Sequence, residues 1–413
     1  MKRRQFLGLG AAALAGGCVS SGGEVVPRVL IIGAGFGGAT CAKYVARGDP
    51  DLHVVLVDRV QEFVSCPMSN LVVGGSRSMA ELTQRFDGLK KYRVDVLWGE
   101  AVAVDPSRKV VRFGRGSELV YDRLVLSPGV DFVFQDIAGY ETAQPRVLHA
   151  WKAGAQTVEL RRQLEAMDDG GVCVVGVPLA PYRSPPGPYE RACQIAQYFK
   201  REKPRSKVIV LDANPDVVAD APLFKRAWQE LYPGIVEYRP GSRVLGVDAA
   251  GMTVRTSGET IKGDVLNVIP PQRAGDIAVK AGLLARNERW CDVDWRTMES
   301  RAVPGIHVLG DATLAAPGMP KSGQMANSQA KVCAAAVIAL LRDRQPASTF
   351  TLMNAGYSFV SDEEAIHATS VHRYDARRRT MVAENSIVSP ARSELEAKHG
   401  WAWARDIWAD MLS

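Results

Sequence analysis

The sequence lacks the cysteine spacings that mark a zinc site, a disulfide scaffold or an attached c-type haem. Its seven cysteines form no C-x-x-C pair, and the C-x-x-C-H of covalent haem attachment is absent too. The six histidines are scattered, and His53 and His307 fall in apolar strand patterns, where a structural role is expected. The sequence therefore predicts neither a metal centre nor a haem carried by this chain.

A strong charge of one sign and a long hydrophobic run are missing as well. The formal net charge is +6, and three of the positive charges belong to Lys2, Arg3 and Arg4, ahead of the predicted fold. No basic run is interleaved with aromatics, which argues against a nucleic-acid partner. With 413 residues, of which 46% are apolar, the chain is long enough for two or three globular domains.

The first residues are typical of an export signal. The chain begins M-K-R-R-Q-F-L-G, a twin-arginine start, and the apolar run Leu7–Leu14 is far too short to cross a bilayer. We therefore expect residues 1–24 to be a twin-arginine signal and tether, no transmembrane span, and a periplasmic protein. The segment L-A-G-G-C ending at Cys18 resembles a lipoprotein cleavage site with one extra glycine. Both a lipid anchor at Cys18 and simple cleavage to a soluble protein stay open.

The stretch from Arg28 to Asp58 carries the strongest motif. An apolar run leads into G-A-G-F-G-G, a helix of small residues follows, and the next strand ends at Asp58. In this G-x-G-x-x-G pattern Gly33 makes the tight turn, Gly35 lets a pyrophosphate approach the backbone, and Gly38 lets the helix lie close to the sheet. Asp58 stands where an acid accepts hydrogen bonds from a ribose. The pattern predicts a dinucleotide site, against the alternative of a glycine-rich turn without ligand.

Three later segments favour a flavin as that dinucleotide. One strand exits at Gly129, another ends at Asp311, and a long Ala-rich helix follows Ser322. Asp311 can bond a ribityl hydroxyl, and the helix N-terminus capped by Ser322 can face the electron-rich end of an isoalloxazine ring. We expect Lys321 to stabilise negative charge on reduced flavin, and Arg59 to contact the cofactor beside the ribose-binding acid. Each segment alone is also typical of an ordinary βα loop. The order of the three segments after the glycine motif predicts FAD.

A second Rossmann-like unit follows, without the residues that a nucleotide needs. Val172–Val177 has the pattern of a buried strand, but five prolines lie from Pro178 to Pro188. They fix φ and remove N–H donors where a phosphate loop would require them. A helix is expected over Tyr189–Lys200, with Pro188 in its first turn. We therefore predict a domain that has lost NAD binding, which disfavours a pyridine nucleotide reductase.

The predicted fold class is α/β, with two Rossmann-like domains and a C-terminal α+β domain. Helices are also expected over Met79–Phe86 and Trp151–Met167, and Asp264 is expected to begin the return to the first sheet. The predicted boundaries are 27–147 and 264–343 for the FAD-binding domain, 148–263 for the second Rossmann-like domain and 344–413 for the C-terminal domain.

The C-terminal domain is expected to hold short strands, a basic hairpin tip and a closing helix. Arg377–Arg379 form that tip, and we interpret them as solvated surface. Trp401, Trp403 and Trp408 fall in the closing helix. Docking of these tryptophans on the chain itself is favoured over an interface with a partner.

Five segments match the pattern of a known family. They are Cys66-x-x-Ser69-Asn70, Ala153–Leu164, Pro185–Ala192, Val268–Gly275 and Met319–Gly323. With them, the chain resembles the flavoprotein subunit of flavocytochrome c sulfide dehydrogenase over nearly all of residues 27–413. That family is related to sulfide:quinone oxidoreductases and, more distantly, to glutathione reductase. The resemblance implies a glutathione reductase-like FAD/NAD(P)-binding fold.

The resemblance also implies a covalent cofactor and a redox partner. The family's FAD is joined through its 8α-methyl carbon to a cysteine at the position of Cys66, with Asn70 in the same motif. A separate c-type cytochrome subunit accepts the electrons. The donor is sulfide, a small reduced-sulfur compound, oxidised at a redox-active cystine on one face of the flavin.

Two departures from the family's pattern put that cystine in doubt. By this matching, its two cysteines fall at Ser184 and Gly356. A serine hydroxyl cannot form a disulfide and glycine has no side chain, so the cystine relay should be absent. Cys193, nine residues past Ser184, is either a stand-in thiol or, as favoured, a buried core cysteine.

Glu190 and Ser184 are the candidate catalytic residues. By the resemblance, Glu190 lies near the substrate pocket and acts as a base or polar gate, with a structural salt bridge to Arg191 or Arg183 as the alternative. We expect an FAD-dependent oxidoreductase that takes electrons from sulfide, or another small reduced-sulfur compound, directly at the flavin and passes them to a separate c-type cytochrome. A different small-molecule donor, or an electron-relay subunit without its own substrate, are the alternatives.

Overall fold

The computed structural model describes residues 26–413. The predicted export signal and Cys18 lie outside the described residues. Within residues 26–413, no helix combines the length and the apolar character that a membrane span needs. The α-helices of this range are α1 Phe36–Gly48, α2 Ser69–Gly74, α3 Tyr140–Ala143, α4 Ala155–Ala166, α5 Gly187–Glu202, α6 Ala221–Leu231, α7 Asp276–Lys280, α8 Gly323–Leu341 and α9 Glu394–Leu412.

The strands of the same range form seven sheets. In chain order they are β1 Arg28–Ile32, β2 His53–Asp58, β3 Phe63–Val64, β4 Thr83–Gln84, β5 Asp95–Trp98, β6 Ala101–Asp105, β7 Val110–Phe113, β8 Glu118–Val120, β9 Arg123–Leu126, β10 Val130–Phe132, β11 Val172–Val177, β12 Lys207–Asp212, β13 Val236–Arg239, β14 Gly246–Asp248, β15 Thr253–Arg255, β16 Thr260–Lys262, β17 Val265–Val268, β18 Gln272–Ala274, β19 Val293–Asp294, β20 Glu299–Ser300, β21 Ile306–Val308, β22 Thr351–Phe359, β23 Ala365–Asp375 and β24 Thr380–Val388.

The largest sheet carries the glycine motif. Its order is β19-β20-β21-β9-β1-β2-β5, and the five strands from β21 to β5 run parallel. β1, β2 and β9 are almost wholly buried, as strands of a parallel sheet covered on both faces must be. Because parallel strands end at one edge, the glycine turn, Asp58 and Gly129 all come to that edge.

The second parallel sheet has the order β13-β12-β11-β17. The expectation that Asp264 begins the return to the first sheet is wrong, because β17 pairs with β11, with Cys173 opposite Val265. An apolar run fits the interior of either sheet equally well, so the pattern could not choose between them. The chain leaves this sheet only after β17, through β18, which pairs with β10.

Two helix predictions also need correction. Met79–Phe86 is not an α-helix, because a single 3₁₀ turn over Ala80–Leu82 leads into β4, and β4 pairs with β3. The helix expected from Trp151 begins only at Ala155. Gly154, just before it, has φ of +138°, a conformation that cannot continue a helix.

The C-terminal domain contains the antiparallel sheet β22-β23-β24. Its strands span nine, eleven and nine residues, longer than the short strands expected. Arg377–Arg379 lie exposed in the turn between β23 and β24, as predicted. The three-part organisation, with two doubly wound parallel units and this α+β unit, confirms the predicted fold class.

The closing helix α9 docks on the chain itself, as predicted for its tryptophans. Trp408 is buried, and the ring of Trp403 lies 6.2 Å from that of Tyr357 on β22. Lys43 of α1 donates to the last carbonyls of α9, including that of Asp410 at 2.7 Å. Cations stabilise a helix C-terminus because the free carbonyls carry partial negative charge. The first and C-terminal domains are thereby tied together.

Candidate active site

A cavity of about 1280 Å³ opens where the three domains meet. The first domain supplies its glycine-rich end, and the second domain and β22 supply the opposite end. Most of the residues predicted from the sequence line it. These are Gly33, Gly35, Asp58, Arg59, Cys66, Asn70, Gly129, Ser184, Glu190, Asp311 and Ser322, together with Gly356.

The three motif glycines lie in different surroundings. Gly33 has φ of +97°, and a Cβ there would lie 2.3 Å from the carbonyl oxygen of Ser127. Gly38 does not line the cavity; a Cβ on it would lie 1.7 Å from the carbonyl oxygen of Gly33, so its role is close packing of α1. At Gly35 a Cβ would meet nothing within 4 Å. The space in front of Gly35 is therefore open to a ligand.

Asp58 is positioned by the turn that it faces. Its Oδ2 accepts the N–H of Ala34 at 2.6 Å, and its Oδ1 accepts the N–H of Val60 at 3.0 Å. Both bonds hold the carboxylate at the rim of the cavity. Asp58 lines the cavity, and a carboxylate has further lone pairs to accept the hydrogen bonds of a ribose.

Asp311, which follows β21 and also lines the cavity, has a buried oxygen left unpaired within residues 26–413. Its Oδ1 is buried and has no hydrogen-bond partner among the described residues. Burial raises the pKa of this carboxyl above its usual range. Buried polar atoms are almost always paired, so a hydroxyl group of a bound molecule fits this position. The residues present therefore fit the ribityl chain of FAD.

Ser322 caps α8, as predicted. Its Oγ accepts the N–H of Met325 at 3.0 Å and donates to Oδ1 of Asn354 at 2.6 Å. The second bond fixes the hydroxyl and joins the helix start to β22. The N-terminus of α8, with its partial positive charge, therefore faces the cavity in a set orientation.

The ammonium of Lys321, which is predicted to stabilise negative charge on reduced flavin, lies away from the cavity lining. Lys321 is not a lining residue. Its Nζ donates to the carbonyl oxygen of Asp311 at 3.0 Å and lies 3.7 Å from the ring centre of Trp290. Burial lowers the pKa of Lys321 to about 7. The carbonyl of Asp311 and the ring of Trp290 satisfy the ammonium. Lys321 therefore supports the segment around Asp311 from the side that faces away from the cavity.

Cys66 lies half-buried on the cavity wall, next to the start of α4. Its Sγ accepts the N–H of Ala153 at 3.4 Å. Ala153 precedes Gly154, the residue that caps α4. Cys66 is thus an accessible thiol with a donor aimed at its sulfur.

Asn70 links Cys66's loop to the candidate catalytic acid. Asn70 Nδ2 donates to Oε2 of Glu190 at 2.6 Å, and Arg191 Nε donates to Asn70 Oδ1 at 2.9 Å. Glu190 Oε1 accepts the N–H of Phe359 at 2.8 Å. One amide of the first domain therefore bridges two consecutive residues of α5.

Glu190 is a carboxyl poised to exchange a proton near neutral pH. Burial raises its pKa to about 7, although the bonds from Phe359 and Asn70 act in the opposite direction. Within the described part of the chain, Glu190 forms no direct ion pair with Arg191 or Arg183; the amide of Asn70 stands between Glu190 and Arg191. The geometry therefore favours the base or polar gate over the structural salt bridge.

Ser184 and Gly356 do face the same cavity. The N–H of Ser184 donates to the carbonyl oxygen of Lys321 at 2.8 Å, which holds the serine beside the start of α8. Gly356 lies in β22 opposite Ala368, and a Cβ there would approach only the Ala368 carbonyl, at 4.0 Å. The wall at Gly356 therefore has room for a side chain.

Cys193 is a core cysteine, as favoured from the sequence. It is fully buried and does not line the cavity. Its Sγ accepts the indole N–H of Trp228 at 3.2 Å, and burial raises the pKa of the thiol. A buried, protonated thiol cannot stand in for a missing redox cysteine.

Sequence reasoning missed a salt bridge on the cavity wall. Lys152 Nζ lies 2.6 Å from Oδ1 of Asp131, and both residues line the cavity. Asp131 also accepts the N–H of Asp276 at 2.8 Å. The two partners are 21 residues apart in different elements, and no local pattern signals such a pair.

Side chains of the protein itself cover the carboxyl ends of the strands in the second sheet. Asp212, at the end of β12, is buried, and its Oδ2 accepts the hydroxyls of Tyr189 at 2.7 Å and Tyr238 at 3.0 Å. An acid at this position binds ribose in NAD-dependent Rossmann folds. Here its lone pairs are taken by tyrosines.

Comparison with known families identifies this architecture. The model of the central part of the flavoprotein chain of sulfide dehydrogenase (flavocytochrome c) matches residues 157–270. The flavin-binding model of flavocytochrome c sulphide dehydrogenase matches residues 348–412. The corresponding flavoprotein chain of Chlorobaculum thiosulfatiphilum is 51% identical over 45 residues, which are 11% of this chain and 94% of that sequence.

More distant relatives extend over most of the chain. Mitochondrial sulfide:quinone oxidoreductase of Mus musculus is 22% identical over 302 residues, which cover 69% of this chain and 65% of the mouse protein. The solved structure of sulfide:quinone oxidoreductase from Aquifex aeolicus superposes with a TM-score of 0.77 at 17% identity, covering 94% of this chain and 92% of that one. The latter comparison shows a shared fold.

The fold and these matches define an FAD-dependent oxidoreductase of the sulfide dehydrogenase and sulfide:quinone oxidoreductase class. Within that class, the chain belongs to the family of flavoprotein chains of flavocytochrome c sulfide dehydrogenase.

Two glycine substitutions should separate cofactor binding from folding. Gly35→Ala places a methyl group in open space at φ of −73°, so the flavin-free protein should keep its thermal midpoint while its flavin content falls. Gly38→Ala drives a methyl group into a backbone carbonyl, and overpacking of this kind costs about 1–3 kcal/mol. Thermal unfolding and the flavin-to-protein ratio measure the two effects. Equal stability of Gly38→Ala and wild type would contradict the packing role.

Proposed function

We propose that this protein is a flavin-dependent dehydrogenase that takes electrons from sulfide, or another small reduced-sulfur compound, and passes them to a separate c-type cytochrome. One observation carries the proposal: a dinucleotide cradle, an accessible cysteine and a buried acid with a pKa near 7 meet in a single cavity. Membership of the family supports the same donor and acceptor. The activity is proposed for the exported form in the periplasm.

The cofactor side of the cavity supplies binding and orientation. Gly35 and Asp58 would hold the ADP part, and the orphaned Oδ1 of Asp311 would bond the ribityl chain. We propose that Cys66 carries the flavin through a thioether, which keeps the cofactor on an exported protein. A bound flavin supplies two-electron oxidation of the donor and release of electrons singly to a haem.

The substrate side of the cavity supplies proton transfer. Hydrogen sulfide and small thiols react as anions, so a base is needed where they enter. Glu190, with a pKa of about 7, takes that proton once it is ionised. Asn70 and the N–H of Phe359 hold the carboxyl by both oxygens, so it stays oriented through the proton exchange.

The substrate side lacks the thiols of a cystine relay. The positions matched to the family's two cysteines are Ser184 and Gly356, and the nearby Cys193 is sealed in the core. The donor sulfur must therefore meet the flavin without a protein disulfide. This departure is also the observation that favours a second candidate, the same scaffold acting on a different small donor that fits the space beside Gly356.

Anaerobic titration of the purified, flavin-loaded protein with sulfide tests the proposal. We expect fast, stoichiometric bleaching of the flavin absorbance band, followed by its recovery when oxidised cytochrome c is added. If dithionite reduces the flavin but sulfide does not, sulfide is not the donor. Bleaching by a small thiol alone would establish the second candidate, and reduction only by a cytochrome would reveal a relay subunit.

The pH dependence of the same reaction isolates Glu190. Because its pKa is raised to about 7, the ionised base is present above that pH and lost below it. Glu190→Gln should slow bleaching by about 10²-fold at pH 8 and have a smaller effect at pH 6. The ionisation of sulfide itself affects wild type and Glu190→Gln equally. The ratio of their bleaching rates therefore reports the ionisation of Glu190. The exposed Glu202→Gln on the same helix is the control, and an unchanged ratio across pH would refute the role.

Introducing cysteines at positions 184 and 356 tests the interpretation that this site lacks the family's redox-active cystine. Ser184→Cys with Gly356→Cys places thiols on the same cavity wall, and Gly356 has room for a side chain. If sulfide is the donor, the double variant should bleach faster than wild type, and its gain should disappear in the single Gly356→Cys variant. A double variant no faster than wild type would contradict the interpretation that Ser184 and Gly356 stand at the positions of the family's redox-active cystine.

A further inference from the structure

Arg191 is the most deeply buried cation on the cavity wall. Only 1% of the residue is exposed. Its guanidinium donates to Oδ1 of Asn70 at 2.9 Å and to the carbonyl oxygens of His149 at 2.8 Å and Ala150 at 2.7 Å. It also donates to Oδ1 of Asn267 at 3.1 Å. Every one of these acceptors is neutral, so four hydrogen bonds fix the side chain without a bonded carboxylate among the described residues.

These bonds connect the two segments that surround Cys66. Asn70 belongs to α2, four residues after Cys66, and the carbonyls of His149 and Ala150 precede Ala153, whose N–H donates to the Cys66 sulfur. The ring centre of Trp151, between these points, lies 4.9 Å from the Arg191 guanidinium. Arg191 thus sets the distance between the sulfur and its backbone donor.

Asn70 has no freedom to turn in this arrangement. Its oxygen accepts from Arg191 while its nitrogen donates to Glu190, and exchanging the two ends would place donor against donor and acceptor against acceptor. Burial lowers the pKa of Arg191 to about 10, and the neighbouring groups Glu190 and Cys66 partly offset that fall. The Cys66 sulfur therefore lies close enough to the guanidinium to interact with it electrostatically.

We propose that Arg191 and Asn70 are positioning residues for the covalent attachment of flavin to Cys66. This inference rests on the proposed function, which makes Cys66 the attachment site. In the attachment step, Arg191 and Asn70 act through the Cys66 loop and the Ala153 N–H, which they hold at bonding distance.

The attachment step is balanced without an outside oxidant. The thiol of Cys66 gives up its proton, the 8α-methyl carbon gives up one hydrogen, and a sulfur–carbon bond forms between them. The two electrons and the two hydrogens that are released remain on the isoalloxazine, which ends reduced. The next acceptor, the cytochrome in the proposed function, returns it to the oxidised state. The N–H of Ala153, which donates to the Cys66 sulfur at 3.4 Å, holds the sulfur in place for this step.

The test compares reversible flavin binding with the rate of attachment. Full-length Arg191→Lys and Asn70→Ala are prepared flavin-free and mixed with FAD, beside wild type and Cys66→Ser. Binding is measured by titration, and attachment by flavin fluorescence of the denatured protein and by an intact-mass increase of one FAD. Lysine keeps the charge of Arg191 but cannot reach four acceptors at once.

We expect both variants to bind FAD with nearly wild-type affinity and to attach it about 10- to 100-fold more slowly, the effect of a misplaced reacting group. Arg161→Lys is the matched control, since Arg161 also donates to a carbonyl of α2, that of Val73 at 3.3 Å, but lies outside the Cys66 site. It should attach flavin at the wild-type rate. Cys66→Ser should bind flavin that is fully released on denaturation.

Each other outcome overturns the inference. Attachment at the wild-type rate in Arg191→Lys and Asn70→Ala would remove their role while leaving Cys66 as the site. Loss of reversible binding in step with attachment would show a merely structural role, and if Arg191→Lys does not fold, Asn70→Ala decides alone. Wild-type flavin that is wholly released on denaturation would overturn both attachment and this inference, whereas sulfide oxidation is judged separately by the anaerobic titration.

Discussion

Two ionisable side chains, buried at consecutive positions of one helix, govern how this protein is assembled. Glu190 and Arg191 both lie inside, and buried charges must be matched by polar partners. Asn70 of the first domain, Asn267 of the second and the N–H of Phe359 in the third provide them. Because these partners come from three domains, the hydrogen bonds to Glu190 and Arg191 of α5 fix the positions of the three domains around the cavity.

That constraint gives the cavity two distinct sides. The first domain provides a cradle that a dinucleotide fits, with Gly35 open to it and a buried Asp311 oxygen left for a hydroxyl. The second domain has turned its own nucleotide edge into packing, because Asp212 is bonded by two tyrosines. It contributes α5 to the substrate side. Two Rossmann-like domains of one chain thus have different tasks, ligand binding in the first and positioning of α5 in the second.

The amino-acid sequence by itself determined the cofactor half of this protein. Local rules decide it: a glycine whose φ is positive, a glycine that a helix must approach, an acid at a strand end and a serine before an apolar helix. Gly33, Gly38 and Ser322 have the local roles predicted, and Asp58 stands at the cavity rim, because each depends on neighbours close in the chain. The parallel-sheet fold class followed from the same alternation of strands and helices.

The tertiary structure alone decided the rest. β17 joins the second sheet although its apolar pattern suits the interior of either parallel sheet. The ammonium of Lys321 lies away from the cavity, where buried carbonyls and the Trp290 ring surround it. The bridge from Glu190 through Asn70 to Arg191 joins residues about 120 positions apart. No periodicity or spacing encodes such a contact, since it exists only once the domains have packed and buried polar groups have competed for partners.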